Sequence, residues 1–292
     1  MAPLARAVMN TDPAILLGIR PRMLSVAYRM LGSVADAEDV VQDAFVRFQA
    51  AGDVTSPEGF LIRTTSRLCI DRLRADRRRK EYVGPWVPEP VDTGAGVRNA
   101  DMAESLTQGF LLMLERLSPD ERAAFLLRTV FDYEYAEIAE VVGKSEVHVR
   151  QIVSRARQRL EHDEARFRAA PQEARGLAER FLAACRAGDV KQIEGMFTGA
   201  VEVHSDGGGK VSAARVVIRG PEKAARFLAG VFRKRWYQET EATLVNGAPG
   251  LVFKLDGQVV SVLSLQIDTG VRAVYITVNP DKLARWSIAE VE

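Results

Sequence analysis

The stretch from Glu134 to Leu160, EYAEIAEVVGKSEVHVRQIVSRARQRL, decides how this chain is organised. On both sides of Gly143, apolar residues recur at the spacing of one helical face. These residues are Ile138, Ala139 and Val142 before the glycine, and Val149, Ile152, Val153, Ala156 and Leu160 after it. Gly143 supplies the left-handed residue that a tight turn needs, and Ser145 is placed to cap the second helix. The pattern predicts a helix-turn-helix.

The outer face of the second helix carries side chains of the kind that reach base edges and phosphates. They are His148, Arg150, Gln151, Ser154, Arg155 and Arg157. An ordinary helical hairpin with a solvated basic face is the alternative. We interpret this stretch as a DNA-binding element.

Composition indicates a globular chain of 292 residues, 47% hydrophobic and 27% charged, long enough for two domains or a little more. The net charge of +1 gives no hint of a nucleic-acid partner, so the charge distribution has to supply it. No apolar run approaches the roughly 18 residues of a membrane span, and Met1 to Asn10 lacks the apolar core of a signal peptide. Cys69 and Cys185 stand far apart without companion ligands, which predicts buried thiols, no zinc site and a cytoplasmic protein.

The segment from Asp12 to about Tyr82 has a helical pattern, and Pro21 is placed to begin one of its helices. A later helix, DAEDVVQDAFVRF from Asp36 to Phe48, has an acidic shoulder without a basic residue among its members. The shoulder consists of Asp36, Glu38, Asp39, Gln42 and Asp43. Its carboxylates repel one another, a cost that helix-dipole pairing recovers in part. The segment is either a solvated helix start or a docking face for a basic partner.

The next helical segment, Phe60 to Lys80, is strongly basic. Eight basic residues stand against Asp71 and Asp76, which gives a local charge of +6. The basic residues are Arg63, Arg67, Arg72, Arg74, Arg77, Arg78, Arg79 and Lys80. Such a cluster is an electrostatic footprint for phosphates, although a solubilising tail would look similar. We favour DNA contact.

A proline-rich linker follows from Glu81 to Asn99, with three prolines and three glycines that favour extended backbone. It also holds Trp86 and Val87, and a purely flexible linker rarely carries a tryptophan. We therefore expect this segment to dock on another surface. Helical periodicity resumes at Asp101, and Ser118 to Glu121 has the sequence of a capping box.

The remaining chain alternates helix and strand patterns. Helices are predicted over Pro171 to Arg186, Asp189 to Phe197 and Glu222 to Arg233. Strands are predicted over Val201 to His204, Val211 to Ile218, Tyr237 to Val245, Leu251 to Leu255, Val259 to Ile267 and Val271 to Val278, with Asp206 to Lys210 as a hairpin turn. This order predicts an α+β domain with helices packed on one curved sheet.

An acidic helix, a basic helix, a linker, LSPDERAAFLL and a helix-turn-helix ending VSRARQRL together resemble a bacterial sigma factor of the extracytoplasmic-function type. The resemblance implies two all-α domains, with sigma region 2 at 1–82, a linker at 83–103 and region 4 at 104–165. It implies that the acidic shoulder binds RNA polymerase core. It also assigns the downstream promoter element to Arg63, Arg67, Arg72, Arg74, Arg77 and Arg78, and the upstream element to His148, Arg150, Gln151, Arg155 and Arg157.

The tail at 171–292 resembles the SnoaL-like, nuclear-transport-factor-2-like cone fold, which some sigma factors of the SigJ-like (ECF41) subgroup carry. Three short motifs support that subgroup: Trp86-Val87-Pro88-Glu89-Pro90, Asp206-Gly207-Gly208-Gly209-Lys210 and Asn279-Pro280-Asp281-Lys282. The resemblance implies that the tail regulates the sigma core through an intramolecular contact formed by these motifs. It implies no cofactor, no metal, no membrane partner and a monomer when free.

Two other functions remain open from the residues. His204 and Asp206 are two apart on a predicted strand and so share a face, as a catalytic base and its orienting carboxylate would. A structural role for this pair is the simpler interpretation, and the chain is expected to catalyse nothing. A DNA-binding regulator with a ligand-sensing tail is the second alternative, but it leaves the acidic shoulder unexplained.

Overall fold

The computed structural model describes residues 13–76, 81–94, 106–164, 171–234 and 237–286. The chain divides into two compact units. The first contains Met1–Arg77 and Leu114–Glu161, and the second contains Arg78–Met113 and His162–Glu292. Among the described residues, no helix is both long enough and apolar enough to cross a membrane.

The first unit is helical. Its helices are α1 (Pro13–Leu31), α2 (Val34–Ala50) and α3 (Pro57–Ala75), then α5 (Pro119–Thr129), α6 (Tyr135–Val142) and α7 (Glu146–Glu164). The short helix α4 (Gln108–Leu114) precedes α5 in the chain, and all of it except Leu114 belongs to the second unit. Serine side chains cap α2, α3 and α5, and the cap of α5 is the predicted capping box of Ser118 and Glu121. The all-α prediction for this part of the chain is confirmed.

The predicted helix start at Pro21 is wrong, because α1 begins at Pro13 and continues through Pro21. A proline inside a helix leaves the carbonyl four residues earlier, here that of Leu17, without its donor. Both Pro21 and Leu17 lie on the exposed side of α1, where this carbonyl is accessible to solvent. The next turns bury Met23 and Ala27 completely, and this packing holds the helix together across the proline.

The helix-turn-helix pattern is confirmed, although α6 buries Ile138 and Val141, and the predicted Ala139 and Val142 are only half-buried. Gly143 ends α6 in the left-handed conformation, with φ of 66°. The Ser145 hydroxyl accepts a hydrogen bond from the His148 backbone N–H at 3.3 Å, which caps α7. The buried face of α7 is the predicted set Val149, Ile152, Val153, Ala156 and Leu160. The predicted outer face is exposed along its length.

The second unit contains the predicted α+β domain, together with the linker segment and most of α4. The helices of this domain are α8 (Pro171–Ala187), α9 (Val190–Gly195), α10 (Pro221–Arg233) and α11 (Pro280–Leu283), and its strands are β1 (Phe197–Asp206), β2 (Ile218–Arg219), β3 (Glu239–Val245), β4 (Ala248–Leu255), β5 (Gln258–Ile267) and β6 (Val271–Thr277). The six-stranded sheet has the order β2-β1-β6-β5-β4-β3, and only β1 and β6 pair in parallel. Side chains from α8, α9 and α10 form one apolar core with the sheet.

The predicted strand from Val211 to Ile218 is wrong. Only Ile218 and Arg219 pair with β1, and the preceding residues form a loop. Val211 and Val216 are 46% and 70% exposed, so the segment has no apolar face that would hold it on the sheet. The predicted turn is present, but it leads into this loop rather than into a hairpin partner.

Two tight hairpins order the antiparallel part of the sheet. Asn246-Gly247 joins β3 to β4, and Asp256-Gly257 joins β4 to β5, with φ between 52° and 75° at all four residues. Asn-Gly and Asp-Gly pairs tolerate this left-handed backbone, whose twist matches that of paired strands. The hairpins therefore follow from local sequence.

Candidate functional site

The acidic shoulder lies on the solvent side of α2, opposite the buried apolar face of the same helix. Asp39, Gln42 and Asp43 are exposed, whereas Asp36 and Glu38 are half-buried. Arg72 of α3 pairs with Asp36 and reaches Asp39 at 3.3 Å. Asp39 nevertheless keeps 65% of its side chain exposed. Part of the repulsion within the shoulder is thus relieved from α3, and its outer carboxylates face solvent.

The described arginines of the basic helix α3 are all engaged within the first unit. Arg63 contacts the carboxylate of Glu140 at 2.5 Å, and Arg74 contacts Asp120 at 2.6 Å. Arg67 donates to the backbone carbonyls of Glu140 at 2.5 Å and Val141 at 3.3 Å. With the Arg72 contacts to α2, each predicted DNA-contacting arginine from 63 to 74 has a protein partner. Arg77 and Arg78 lie outside the described residues.

Arg67 meets α6 at its carboxyl end. The last carbonyls of a helix lack intrahelical donors and carry the negative end of the helix dipole. Arg67 satisfies two of these carbonyls. The helix predicted to hold the melted promoter strand therefore packs against the first helix of the helix-turn-helix, through charges that phosphates would also attract.

Two buried arginines, which sequence reasoning missed, support this packing. Arg122 of α5 is 4% exposed and donates to the Met30 carbonyl at 2.7 Å and to Glu115 at 2.9 Å. Arg29 is 1% exposed and lies 5.6 Å from the centre of the Phe131 ring. Desolvation lowers the pKa of Arg29 to about 10, so it remains charged at neutral pH. The only local signal was that Arg122 adjoins a run of apolar residues.

A cavity of about 380 Å³ lies between the loop that joins α2 to α3 and helix α6. Asp53, Ser56 and Phe60 line it on one side, and Tyr133 and Glu137 line it on the other. This loop leads into α3, whose arginines the family resemblance predicts to contact the downstream element. Here it faces the helix-turn-helix.

Helix α7, the predicted DNA-reading helix, presents two kinds of basic side chain. Arg150 contacts Glu146 at 2.5 Å, and its guanidinium lies 4.2 Å from the centre of the Tyr135 ring. Arg159 contacts Glu121 at 2.8 Å. The predicted residues His148, Gln151, Arg155 and Arg157 are exposed. Arg150 is therefore held to the flank of the helix, whereas these four face solvent.

In the second unit, the three short motifs meet around the carboxylate of Asp206, which is fully buried. This carboxylate accepts hydrogen bonds from the Tyr82 hydroxyl at 2.5 Å, the Val87 N–H at 2.9 Å and the Gly208 N–H at 3.0 Å. It also forms an ion pair with Lys282 at 2.7 Å. We call Asp206 and these four partners the linker clasp. A buried charged carboxylate is stable only when hydrogen bonds and an opposite charge compensate for its lost hydration, as they do here.

Lys282 ties the clasp to the linker a second time. Its ammonium donates to the Val87 carbonyl at 2.5 Å and lies 4.5 Å from the Trp86 ring centre and 5.2 Å from that of Tyr82. Asn279 donates to the Tyr82 oxygen at 2.9 Å. Burial, together with the hydrogen bond to Asp206, raises the pKa of Tyr82 well above its usual range, so the phenol remains a donor.

The glycines beside Asp206 allow close approach. A side chain at Gly208, where φ is 59°, would collide with the Asn279 amide, and one at Gly209 would reach Val83. Lys210 closes the turn with an exposed ion pair to Asp281 at 2.6 Å. These contacts explain why glycines stand next to Asp206.

The rest of the linker motif also contacts the second unit. The Pro90 carbonyl accepts from Trp286 at 2.9 Å, and the Pro88 carbonyl accepts from Gln108 at 2.8 Å. Glu89 is 5% exposed and lies 3.9 Å from Arg285. Pro280 occupies the first turn of α11, next to the Asn279 cap.

Beyond Pro90, the linker extends the sheet edge at the end of β3. Val91 exchanges hydrogen bonds with Asn246, through its N–H at 2.9 Å and its carbonyl at 2.8 Å. The Thr93 N–H donates to the Leu244 carbonyl at 2.8 Å. Asn246 also donates to the Leu106 carbonyl at 3.0 Å. Asn246 was not predicted as a linker contact, because nothing in its own segment indicates that its side chain binds the linker.

His204 and Asp206 do not form a catalytic pair. His204 instead contacts Glu202 at 3.0 Å, and this hydrogen bond is the largest cause that lowers the pKa of Glu202 to about 2. No set of three His, Cys, Asp or Glu side chains in the described part of the chain is placed to hold a metal ion. Cys69 and Cys185 are buried, and burial raises the pKa of both thiols.

Comparison with known proteins identifies the two helical segments. Residues 18–79 match sigma-70 region 2, and residues 107–160 match sigma-70 region 4. The ECF RNA polymerase sigma factor SigJ of Mycobacterium tuberculosis (strain ATCC 25618 / H37Rv) is 37% identical over 242 residues, which cover 80% of this chain and 78% of the relative. The probable ECF RNA polymerase sigma factor SigI of the same strain is 29% identical over 281 residues, which cover 90% of this chain and 92% of that relative.

The similarity extends to three dimensions. The crystal structure of the M. tuberculosis extracytoplasmic function sigma factor SigJ aligns with a TM-score of 0.76 at 32% identity. The alignment covers 94% of this chain and 98% of that structure. It therefore includes the C-terminal α+β domain as well as the two helical regions.

Proposed function

Because this chain belongs to the extracytoplasmic-function family of RNA polymerase sigma factors, we propose that it binds RNA polymerase core through the acidic shoulder of α2 and directs it to promoters through α3 and α7. It is a transcription initiation factor and not an enzyme. Its C-terminal domain regulates that activity. The cytoplasm, where polymerase and promoters meet, is its place of action.

The observation that carries the proposal is the joint occurrence of regions 2 and 4, in order, with an exposed acidic face and an exposed reading helix. A DNA-binding regulator without a polymerase partner would need α7 alone. The carboxylates of Asp39 and Asp43, on a helix already packed by its apolar face, are best explained by a basic partner.

The contacts of α3 support a resting form of the sigma regions. Arg63, Arg67 and Arg74 already have acidic or carbonyl partners on α5 and α6. Promoter phosphates would compete for the same guanidinium groups, because both partners offer anionic oxygen. Binding to DNA therefore requires α3 to leave α6, and polymerase core supplies the free energy for this separation.

The C-terminal domain acts through the segment that joins the two sigma regions. The linker clasp fixes Tyr82 and Val87, and the hydrogen bonds to Asn246 fix Val91 and Leu106. A domain that holds the linker at several points limits how far regions 2 and 4 separate. This restraint is the basis of the proposed regulation.

Transcription in vitro tests the function. Core polymerase with the full chain should produce transcripts from specific promoters that core alone does not produce. A chain ended at Leu160 should initiate at the same promoters with a clearly changed yield, since the restraint on the linker is lost. Equal yields would contradict regulation by the C-terminal domain, and absence of specific transcripts would contradict the sigma function itself.

The resting form predicts the behaviour of Glu140→Gln. The substitution removes the carboxylate partner of Arg63, a partly exposed contact worth about 0.2–1 kcal/mol. We expect binding of the free protein to promoter DNA to rise by up to about fivefold, measured by fluorescence anisotropy at fixed salt. Glu173→Gln, at an exposed position of α8, makes the same charge change away from α3 and serves as the control. Equal effects of the two substitutions would show that net charge alone is responsible.

A further inference from the structure

The outward face of α7 is defined by its geometry. Successive residues turn by about 100°, so the side opposite the buried stripe is occupied by Val147, Gln151, Ser154 and Gln158. Arg150 and Arg157 lie on one flank of this face, and His148 and Arg155 lie on the other. In a complex with α7 in the major groove, as the proposed function requires, the centre of the outward face would meet the base edges and the flanks would meet the groove walls.

The central position nearest the amino end of α7 is apolar. This residue is Val147, which follows the first residue of the helix, Glu146, and is 67% exposed. The amino-terminal residues of a recognition helix are those that reach base edges. An exposed valine there cannot hydrogen-bond, but its methyl groups match the C5 methyl of thymine, the main apolar group on the floor of the major groove.

Gln151 stands one turn further along the same face and is exposed. A glutamine amide donates and accepts at once, and so pairs with N7 and the 6-amino group of adenine. The two positions are separated by about 6 Å along the helix, roughly two base-pair steps. Arg150 lies beside Glu146 and the Tyr135 ring, on the flank rather than at the centre of this face.

We propose that Val147 and Gln151 are the principal base-reading pair, with Val147 packed against a thymine methyl and Gln151 bonded to an adenine within about two base pairs of it. The flanking basic residues position the helix on phosphates. This assignment rests on the proposed sigma function and adds its base specificity. It places two A·T pairs within the upstream element.

The role of Val147 is tested by removing the thymine methyl groups of the promoter DNA one at a time. Each thymine of the upstream element is replaced by deoxyuridine in a promoter fragment that the full chain recognises with core polymerase. We expect one position at which loss of the methyl weakens binding of the wild-type complex by about fourfold, the effect of one buried methyl. Val147→Ala should bind the thymine and deoxyuridine forms of that position equally.

Val216→Ala is the matched control, since Val216 is 70% exposed in the other unit. That variant should retain the full difference between thymine and deoxyuridine. A wild-type complex indifferent to every deoxyuridine, or a Val147→Ala complex that retains the difference, would overturn the assignment. Neither outcome affects the proposed function, whose failure would appear as no specific promoter binding at all.

The glutamine is tested with 7-deazaadenine, which lacks the N7 acceptor. At one adenine, this base should weaken wild-type binding several-fold and leave Gln151→Ala unaffected, because contacting groups are not additive. Gln158→Ala, on the same face but three turns from the start of α7, should retain the loss. Equal losses in the wild-type and Gln151→Ala complexes would exclude Gln151 as the reader of that adenine.

Discussion

Asp206→Ala should release the linker from the C-terminal domain and produce the largest change of any substitution in the second unit. The carboxylate is fully buried, and its loss removes the only acid paired with the Lys282 ammonium in the linker clasp and the acceptor of the Val87 N–H. Breaking a buried ion pair on one side costs about 3–5 kcal/mol. Thermal or denaturant unfolding of the full chain should show a loss of that size.

The same substitution should alter promoter-directed transcription in the direction of Trp86→Ala. Both changes weaken the hold on one linker segment, so the double variant should show less than the sum of the two effects. Asp281→Ala is the control, since its ion pair with Lys210 is exposed and worth at most about 1 kcal/mol. Strictly additive effects, or a control as damaging as Asp206→Ala, would contradict the clasp as the regulatory contact.

Reversal of charge at Asp39 and Asp43 should abolish binding to polymerase core. Both side chains are exposed on α2, and the replacement lysines would meet a basic partner surface with like charge. Contacts between close charges across an interface justify an expected loss of at least about a hundredfold, measured by pull-down or anisotropy with purified core. Stability should change little, because Val40, Val41 and Ala44 supply the packing of α2.

The matched control is Glu173→Lys with Glu179→Lys, which makes the same change of net charge at two exposed positions of α8. That variant should bind core as the wild type does. Normal core binding by the α2 double reversal would show that the acidic shoulder is only a solvated helix surface. Loss of binding in both variants would point to long-range charge rather than to a docking face.

Local patterns predicted the elements that have local causes. The turn at Gly143, the Ser145 cap and the buried face of α7 follow from spacing and capping chemistry. The strand predicted over Val211 to Ile218 failed because valines favour strands only when a neighbouring surface covers them, and here none does.

The missed residues act over long sequence distances. Arg122 lies 92 residues from the carbonyl that it meets, and Asn246 lies 155 residues from Val91. No periodicity encodes such a pairing, since each partner looks ordinary in its own segment. Trp86 was the exception, because an apolar ring in a proline-rich linker predicts docking even when the surface it meets is unknown.

The burial of the linker in the C-terminal unit also limits how this domain could be gained or deleted. Val87 and Glu89 precede region 4 in the chain, yet they are buried in the C-terminal unit. An ancestor that merely gained this domain at its carboxyl end would have carried a buried carboxylate without its linker donors. A deletion that removes the domain would leave behind an apolar linker segment without the surface on which it is buried.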